Sequence, residues 1–380
     1  MAYFTSESKF ETSTTISSTI AVTEDSPDIH TDHTDGLNET SASMSTYLVT
    51  WSWQNISWSW WLIIQLIFAI VGIIGNFIVL LVLSQGQRHR CSTDTLIAGL
   101  AAADLITSVF IIPHSPINTL PNSILGQLFC RIIHSSVLMW TSISASVFTL
   151  TVITIERLVA IRHPFLYQRL FTAERSVAAL VLVWVLSFIV NAFPLYVTFI
   201  DGGTCVVHFP TIALQKTVGI ILFLLKFVVP VTVMMLAHVL TIRSLQIRKQ
   251  NLTSGKEQEK HALKMLTARR RATKLLFTII ITFIICWTPD QVSFLALNFD
   301  LVHFTHLYSP LYRILMVLAF ANSCVNPIIY ASRSPNFRRA IEELCCLGRS
   351  VGLQSVFGGF EDSRVSTQTV VSAASSKEIM

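Results

Sequence analysis

The chain has 380 residues, of which 52% are hydrophobic and only 13% charged; an ordinary soluble domain is about 25% charged. The shortfall is concentrated, because no Asp, Glu, Lys or Arg occurs in residues 40–87, 132–155, 176–200, 275–289 or 314–332. Such blocks exclude a soluble globular protein: a bilayer core takes about 20 mostly apolar residues per helix, whereas a large soluble helical core would show polar stripes at helical spacing.

Residues 1–57 hold eight acids against one lysine and many Ser and Thr. No short apolar leader core stands at the start, so this part reads as a solvated, disordered tail. Asn38 and Asn55 open the sequons Asn38-Glu39-Thr40 and Asn55-Ile56-Ser57, glycosylation acceptors on an exterior segment. Trp51, Trp53, Trp58, Trp60 and Trp61 then cluster as an interfacial aromatic belt does. Seven apolar segments follow, over about 58–83, 93–117, 129–161, 173–197, 214–247, 264–298 and 309–332. The third, fifth and sixth are longer than a membrane is thick and should protrude. After the last, over about 336–348, Phe337, Ile341 and Leu344 share one face of an amphipathic helix suited to the membrane surface. The expectation is an all-α membrane protein: a seven-helix domain over 58–335, that surface helix, and a disordered cytoplasmic tail over 349–380.

Orientation follows from basic residues in the short connections. One set holds Arg88 and Arg90, then Arg162, Arg169 and Arg175, then a run from Arg243 to Lys274 that includes Arg269, Arg270 and Arg271. The other set is nearly bare. The N-terminus is therefore expected outside and the C-terminus inside, a parity that an odd number of spans requires. Asn251 also opens a sequon, but on the inner side, where it should stay unmodified.

Polar residues inside a span are costly, and each is a functional hypothesis. Asp104 lies in the second span, Asn76 in the first, Ser146 in the third, and Asn322, Ser323 and Asn326 in the last. Facing one another, they would make a polar pocket that either holds a sodium-like cation with oxygen ligands or serves as a purely structural hydrogen-bond network. Pro230, Pro289 and Pro327 fall inside the fifth, sixth and seventh spans, where a missing N–H frees a carbonyl and favours bending.

With these residues in view the chain resembles a rhodopsin-like (class A) G-protein-coupled receptor, of the peptide-receptor type. The matching pieces are Gly75-Asn76, "LAAAD" ending at Asp104, Glu156-Arg157 with Pro164, Trp184, Pro230, "CWTP" ending at Pro289, and "NPIIY" from Asn326 to Tyr330. One landmark falls in every span, in the family's order, over about residues 58–346. The resemblance implies that Glu156 holds Arg157 at rest, and that Arg157 is released toward a cleft opened by outward movement of the sixth helix. It also implies that Pro164 starts an inner loop whose Phe165 inserts into a G protein.

Cys130 and Cys205 are the two cysteines expected outside, where a disulfide persists; paired, they would pin the loop between spans four and five over the bundle. Cys345 and Cys346, beside the amphipathic helix at the inner surface, suit palmitoylation and otherwise stand as free thiols. The chain departs from the family pattern at four places. Cys130 to Arg157 is two residues longer than usual, so a bulge, or a cysteine on the preceding loop, is expected. Leu158 replaces a Tyr after the arginine. His238 stands where a Tyr normally meets Tyr330, and Arg269 where some members place an acid against Arg157; basal signalling should then be raised.

For the ligand, Met139 occupies the place where amine receptors keep an aspartate, and Phe320 the place of the visual pigments' lysine. The candidate pocket is Met139, Lys226, Trp287, Asp290, Gln291, Tyr312 and Arg313, with Lys226 and Asp290 expected to form an ion pair, either a helix brace or a ligand's target. An extracellular neuropeptide-like ligand is favoured, steered by the acidic tail; a small acid or a lipid on the same fold is the alternative. The other partners expected are a heterotrimeric G protein, receptor kinases and arrestin acting on the Ser/Thr-rich tail, and membrane lipids, with Arg269, Arg270, Arg271 and Lys274 facing either anionic lipid heads or the G protein. No nucleic acid and no cofactor are expected beyond an allosteric sodium ion at Asp104. An enzyme would need a nucleophile elbow, phosphate loop or metal-ligand spacing, and a transporter would need paired interrupted helices in two related halves; neither is visible. The plasma membrane is the expected location.

Overall fold

A computed structural model describes residues 50–85, 91–250, 257–302 and 309–345. Asn38, Arg88, Arg90, Asn251, Cys346 and the Ser/Thr-rich tail lie outside the described residues, as does the side chain of Cys345. Among the described residues, seven helices are long and apolar enough to cross a membrane: Trp60–Ser84, Ser92–Phe110, Ile124–Arg162, Ala173–Val197, Ile212–Arg248, Met265–Asn298 and Pro310–Arg333. An amphipathic helix, Pro335–Cys345, follows the last.

The bundle is sided in the manner lipid requires. Ile63, Ile67, Ile70, Ile74 and Phe77 recur at helical spacing along the outer face of the first span, all exposed, while Asn76, Asp104, Ser146 and Asn326 are buried. Small residues let helices approach closely. A Cβ added at Gly75 would lie 2.9 Å from the Pro327 ring, and one at Gly72 would lie 2.2 Å from Ser108 Oγ. The first span therefore packs backbone-close on the second and last.

Among the described residues three spans depart from one regular α-helix: the fourth breaks at Ala192 and Phe193, before Pro194 opens a last turn, Pro194–Val197, and the third and fifth carry π-helical turns. The third begins as a short α-helix, Ile124–Leu128, passes through a π-helical turn, Phe129–His134, and restarts as Val137–Arg162. Between them Ser136 takes a left-handed conformation, φ 55°. The long Cys130–Arg157 spacing is absorbed here, in a wide turn and one left-handed residue, with Cys130 inside the π-helical turn and not on a preceding loop. In the fifth span a π-helical turn, Leu224–Val228, lies between Ile212–Phe223 and Val229–Gln250. It sits immediately before Pro230, whose missing N–H breaks the regular ladder. The sixth and seventh helices continue through Pro289 and Pro327.

The second span is shorter than its apolar run. It ends at Phe110, not near residue 117, because Pro113 and Pro116 follow and the residue before a proline is driven to extended backbone. The freed segment Ile117–Thr119 pairs antiparallel with Ser52–Trp53. Another hairpin, Thr198–Asp201 with Thr204–Val207, fills the loop between spans four and five. Its two-residue turn is Gly202-Gly203, both at positive φ, as the tightest hairpin connection demands.

Candidate functional site

The Cys130–Cys205 disulfide closes with a Cα–Cα distance of 5.5 Å. It joins the hairpin to the top of the third span, and Leu120, Ile200 and Phe129 pack around it. Leu120 N–H donates to Gly203 O at 2.9 Å, and Arg131 Nε donates to Thr198 O at 3.3 Å. The hairpin is thereby tied to the third span and to the connection that precedes it, and covers this end of the bundle.

Beneath it lies a cavity of about 40 Å³ lined by Trp140, Asn191, Lys226, Asp290, Gln291 and Phe294, among others. Lys226 Nζ donates to Asn191 Oδ1 at 2.9 Å and stands 4.9 Å from the centre of the Trp140 ring. Asn191 is itself fixed, donating to Ser144 Oγ at 2.9 Å and to Ser187 O at 2.7 Å. Asp290 Oδ2 accepts from Gln291 Nε2 at 3.1 Å, and Oδ1 accepts no hydrogen bond although the residue is 1% exposed. Lys226 and Asp290 thus line one cavity without the direct ion pair expected of them: Asn191 and the Trp140 face hold the ammonium instead. Trp140 and Trp287 meet edge to face at 6.4 Å. Met139 and Tyr312 are buried in the core. Arg313 is not among the residues that line this cavity; its guanidinium lies 5.5 Å over the ring of Trp61 near the start of the first span. Asn191 and Trp140 are absent from the sequence-based pocket. Asn191 carries the same signal as Asp104, an amide in an uncharged span, whereas Trp140 carries none.

Midway through the bundle, Asp104 Oδ1 accepts from Ser146 Oγ at 2.8 Å and Oδ2 from Asn326 Nδ2 at 2.7 Å. Asn76 Nδ2 donates to Gly72 O and Ser323 O, both at 2.9 Å. Asn322 is buried near them in sequence. The network brings the first, second, third and last spans together. Its single carboxylate with neutral oxygens is the donor set a monovalent cation takes.

At the end of the bundle opposite the disulfide, Glu156 is fully buried. Arg157 Nε lies 3.2 Å from Glu156 Oε2. Oε1 accepts from Thr93 Oγ1 at 2.6 Å and from the Tyr167 hydroxyl at 3.1 Å. Those two donors occupy one oxygen and turn the other toward Arg157. Tyr167 sits on a short helix, Pro164–Leu170, which Pro164 opens at its first position. Burial first, and the Glu156 charge second, push its phenol above the ordinary tyrosine range, so it remains a donor. Phe165, two residues earlier, is 88% exposed. Thr93 and Tyr167 are missing from the sequence-based switch; a hydroxyl at the start of one span and a tyrosine in a loop announce nothing until the fold joins them.

Beside this pair opens an inner cavity of about 290 Å³ whose lining includes Arg157, Arg271, Arg333, Arg339, Tyr330 and Leu276. His238 stacks on Phe277 of the sixth span at 4.7 Å, and Tyr330 meets Phe337 of the surface helix edge-on at 6.0 Å.

A seven-helix membrane bundle with a covered cavity at one end, a buried polar core and a buried charged pair at the other has the architecture of a seven-transmembrane receptor. Residues 75–330 match the family described as 7 transmembrane receptor (rhodopsin family). Galanin receptor 2a of Danio rerio is 30% identical over 318 residues, 80% of this chain and 82% of that protein. Galanin receptor type 2 of Homo sapiens is 30% identical, over 77% of this chain and 76% of its own length. Somatostatin receptor type 4 of Rattus norvegicus is 31% identical, over 79% and 76%. The chain belongs to the rhodopsin family of seven-transmembrane, G-protein-coupled receptors.

Proposed function

We propose that this receptor binds an extracellular peptide and passes that event to heterotrimeric G proteins by outward movement of the sixth helix. The observation that carries the reading is its similarity to receptors of galanin and somatostatin along three quarters or more of each chain. Met139 supports it, standing where an amine receptor would need a carboxylate.

The N-terminus faces outside and the C-terminus inside, in the plasma membrane. Asn55 is exposed next to the strand Ser52–Trp53, which pairs with the loop over the disulfide end, so its glycosylation fits this orientation. Inside, Phe165 docks in the G protein, and Arg157, released from Glu156, turns into the inner cavity. Receptor kinases and arrestin act on the tail, and palmitoyl chains on Cys345 and Cys346 would anchor the surface helix. A sodium ion would be held by the Asp104 carboxylate and Ser146 hydroxyl, with Asn326 giving up its bond to Oδ2. It would bias the resting packing.

Screening a library of neuropeptide-like peptides on cells expressing the receptor, with cyclic AMP and calcium readouts, tests the reading. At least one peptide should act, and its response should vanish in cells lacking G proteins. Activation by lipids or small acids but by no peptide would refute the peptide; an evoked ion flux that survives without G proteins would refute the receptor mechanism.

A further inference from the structure

The outer cavity sets two opposite charges on one surface, near enough to attract each other, without closing them into a contact ion pair. Lys226 spends one of an ammonium's three donors on Asn191 Oδ1 and rests on the π-face of Trp140. Asp290 is buried, takes one hydrogen bond from its neighbour Gln291, and leaves Oδ1 unpartnered on the cavity. The Trp287 indole N–H, also buried, has no acceptor, and a smaller adjoining cavity of about 10 Å³ is lined by it together with Lys226 and Gln291. A buried carboxylate oxygen without a donor is costly. A helix brace would have closed Lys226 on Asp290; here Asn191, locked in turn by Ser144 and Ser187, draws the ammonium the other way.

We propose that this cavity is a subsite for a cationic group of the ligand, an ammonium or guanidinium whose N–H is accepted by Asp290 Oδ1, while Lys226 donates to a carbonyl or carboxylate oxygen beside it. This rests on the peptide reading, and a peptide offers the chemistry from two sources: a free amino terminus next to its first carbonyl, or a basic side chain. Asn191 and Trp140 are positioning residues, holding the Lys226 charge off the incoming cation.

The test uses the full-length receptor in lipid nanodiscs and follows its thermal unfolding with three probes. Glycinamide presents a free amino terminus, Nα-acetyl-arginine amide presents a basic side chain with the amino terminus blocked, and Nα-acetylglycinamide is neutral. A bound probe raises the unfolding midpoint in proportion to how far its concentration exceeds its Kd. At least one cation should raise the midpoint, the neutral probe should not, and the more effective cation identifies the source. In Asp290→Asn the effective concentration should rise roughly ten- to a hundredfold, the range for a hydrogen bond to a charged partner. In Lys226→Gln, whose two amide N–H donors can serve both Asn191 and the ligand oxygen but which loses the like charge, the cation should act at lower concentration; that reading stands even if Asp290→Asn does not accumulate. A neutral probe equal to the cations, no shift by either cation, or an Asp290→Asn curve superimposed on wild type would overturn the proposal. If a peptide activates the receptor while both cations are ignored, the subsite falls and the peptide reading stands. If the cations bind at Asp290 while no peptide acts, the reverse holds.

Discussion

Replacing Tyr167 by Phe removes one of two donors that aim the buried Glu156 carboxylate at Arg157. The phenol donates to Oε1 at 3.1 Å, Thr93 donates to the same oxygen at 2.6 Å, and Oε2 faces Arg157 Nε at 3.2 Å. A hydrogen bond to a charged group contributes about 1.5–3 kcal/mol. Thr93 remains, and the Tyr167 contact is the longer of the two, so the lower end applies, about 1.5 kcal/mol or roughly tenfold in an equilibrium constant. For a resting arrangement favoured about 99 to 1, the open fraction would rise from about 1% to about 10%. Agonist-free nucleotide exchange on purified G protein reads this directly, at receptor levels matched by surface labelling. Thr93→Val, which removes the shorter contact, should act in the same direction by at least that factor, and the double variant should show coupling, because both donors serve one oxygen. Exchange in both single variants within twofold of wild type, at matched levels, would refute the idea that these hydroxyls hold the switch closed.

Ser136 holds a left-handed backbone, φ 55°, which costs a side-chain-bearing residue about 1–2 kcal/mol. Ser136→Val should lower the unfolding midpoint and Ser136→Gly should not, as thermal unfolding in detergent will show. Gly75→Ala places a methyl 2.9 Å from the rigid Pro327 ring; overpacking of about 1–3 kcal/mol should reduce stability, whereas alanine at an exposed position of the first span such as Ile67 should be nearly neutral. Cys205→Ser opens a cross-link between residues 75 apart, about 4 kcal/mol by the chain-entropy relation. The midpoint should fall, and reducing agent should lower wild type but not the variant.

Much of the fold was legible because lipid permits few solutions. Uncharged runs, basic connections and an odd span count determined the number and sequence of the helices, with ends off by one or two residues in most. The second span failed by several residues because hydropathy ignores Pro113, which stops the helix inside an apolar run. The extra length before Arg157 was visible as a spacing, but its form, a π-helical turn with Ser136 left-handed, depends on how the chain packs beneath the disulfide. At the site, residues carrying their own anomaly were found early: Asp104, Asn326 and Asp290 are each polar where lipid should be. Partners without an anomaly were missed, as with Tyr167 and Trp140. The contact of Arg313 with Trp61 was not legible, because a position in sequence does not say which face of the helix a side chain takes, and Trp61 offers the cation an aromatic surface. Lys226 and Asp290 were paired by charge alone; the competing acceptor on Asn191 became visible only in three dimensions.

Signalling as proposed requires Arg157 to convert outside binding into inside action. The most direct measurement is nucleotide exchange by reconstituted G protein with wild-type receptor and Arg157→Leu, each with an activating peptide from the screen and with peptide binding measured on the same preparation. Stimulated exchange in wild type, and loss of it in Arg157→Leu with binding retained, is the predicted result. Equal stimulation by both would contradict the account.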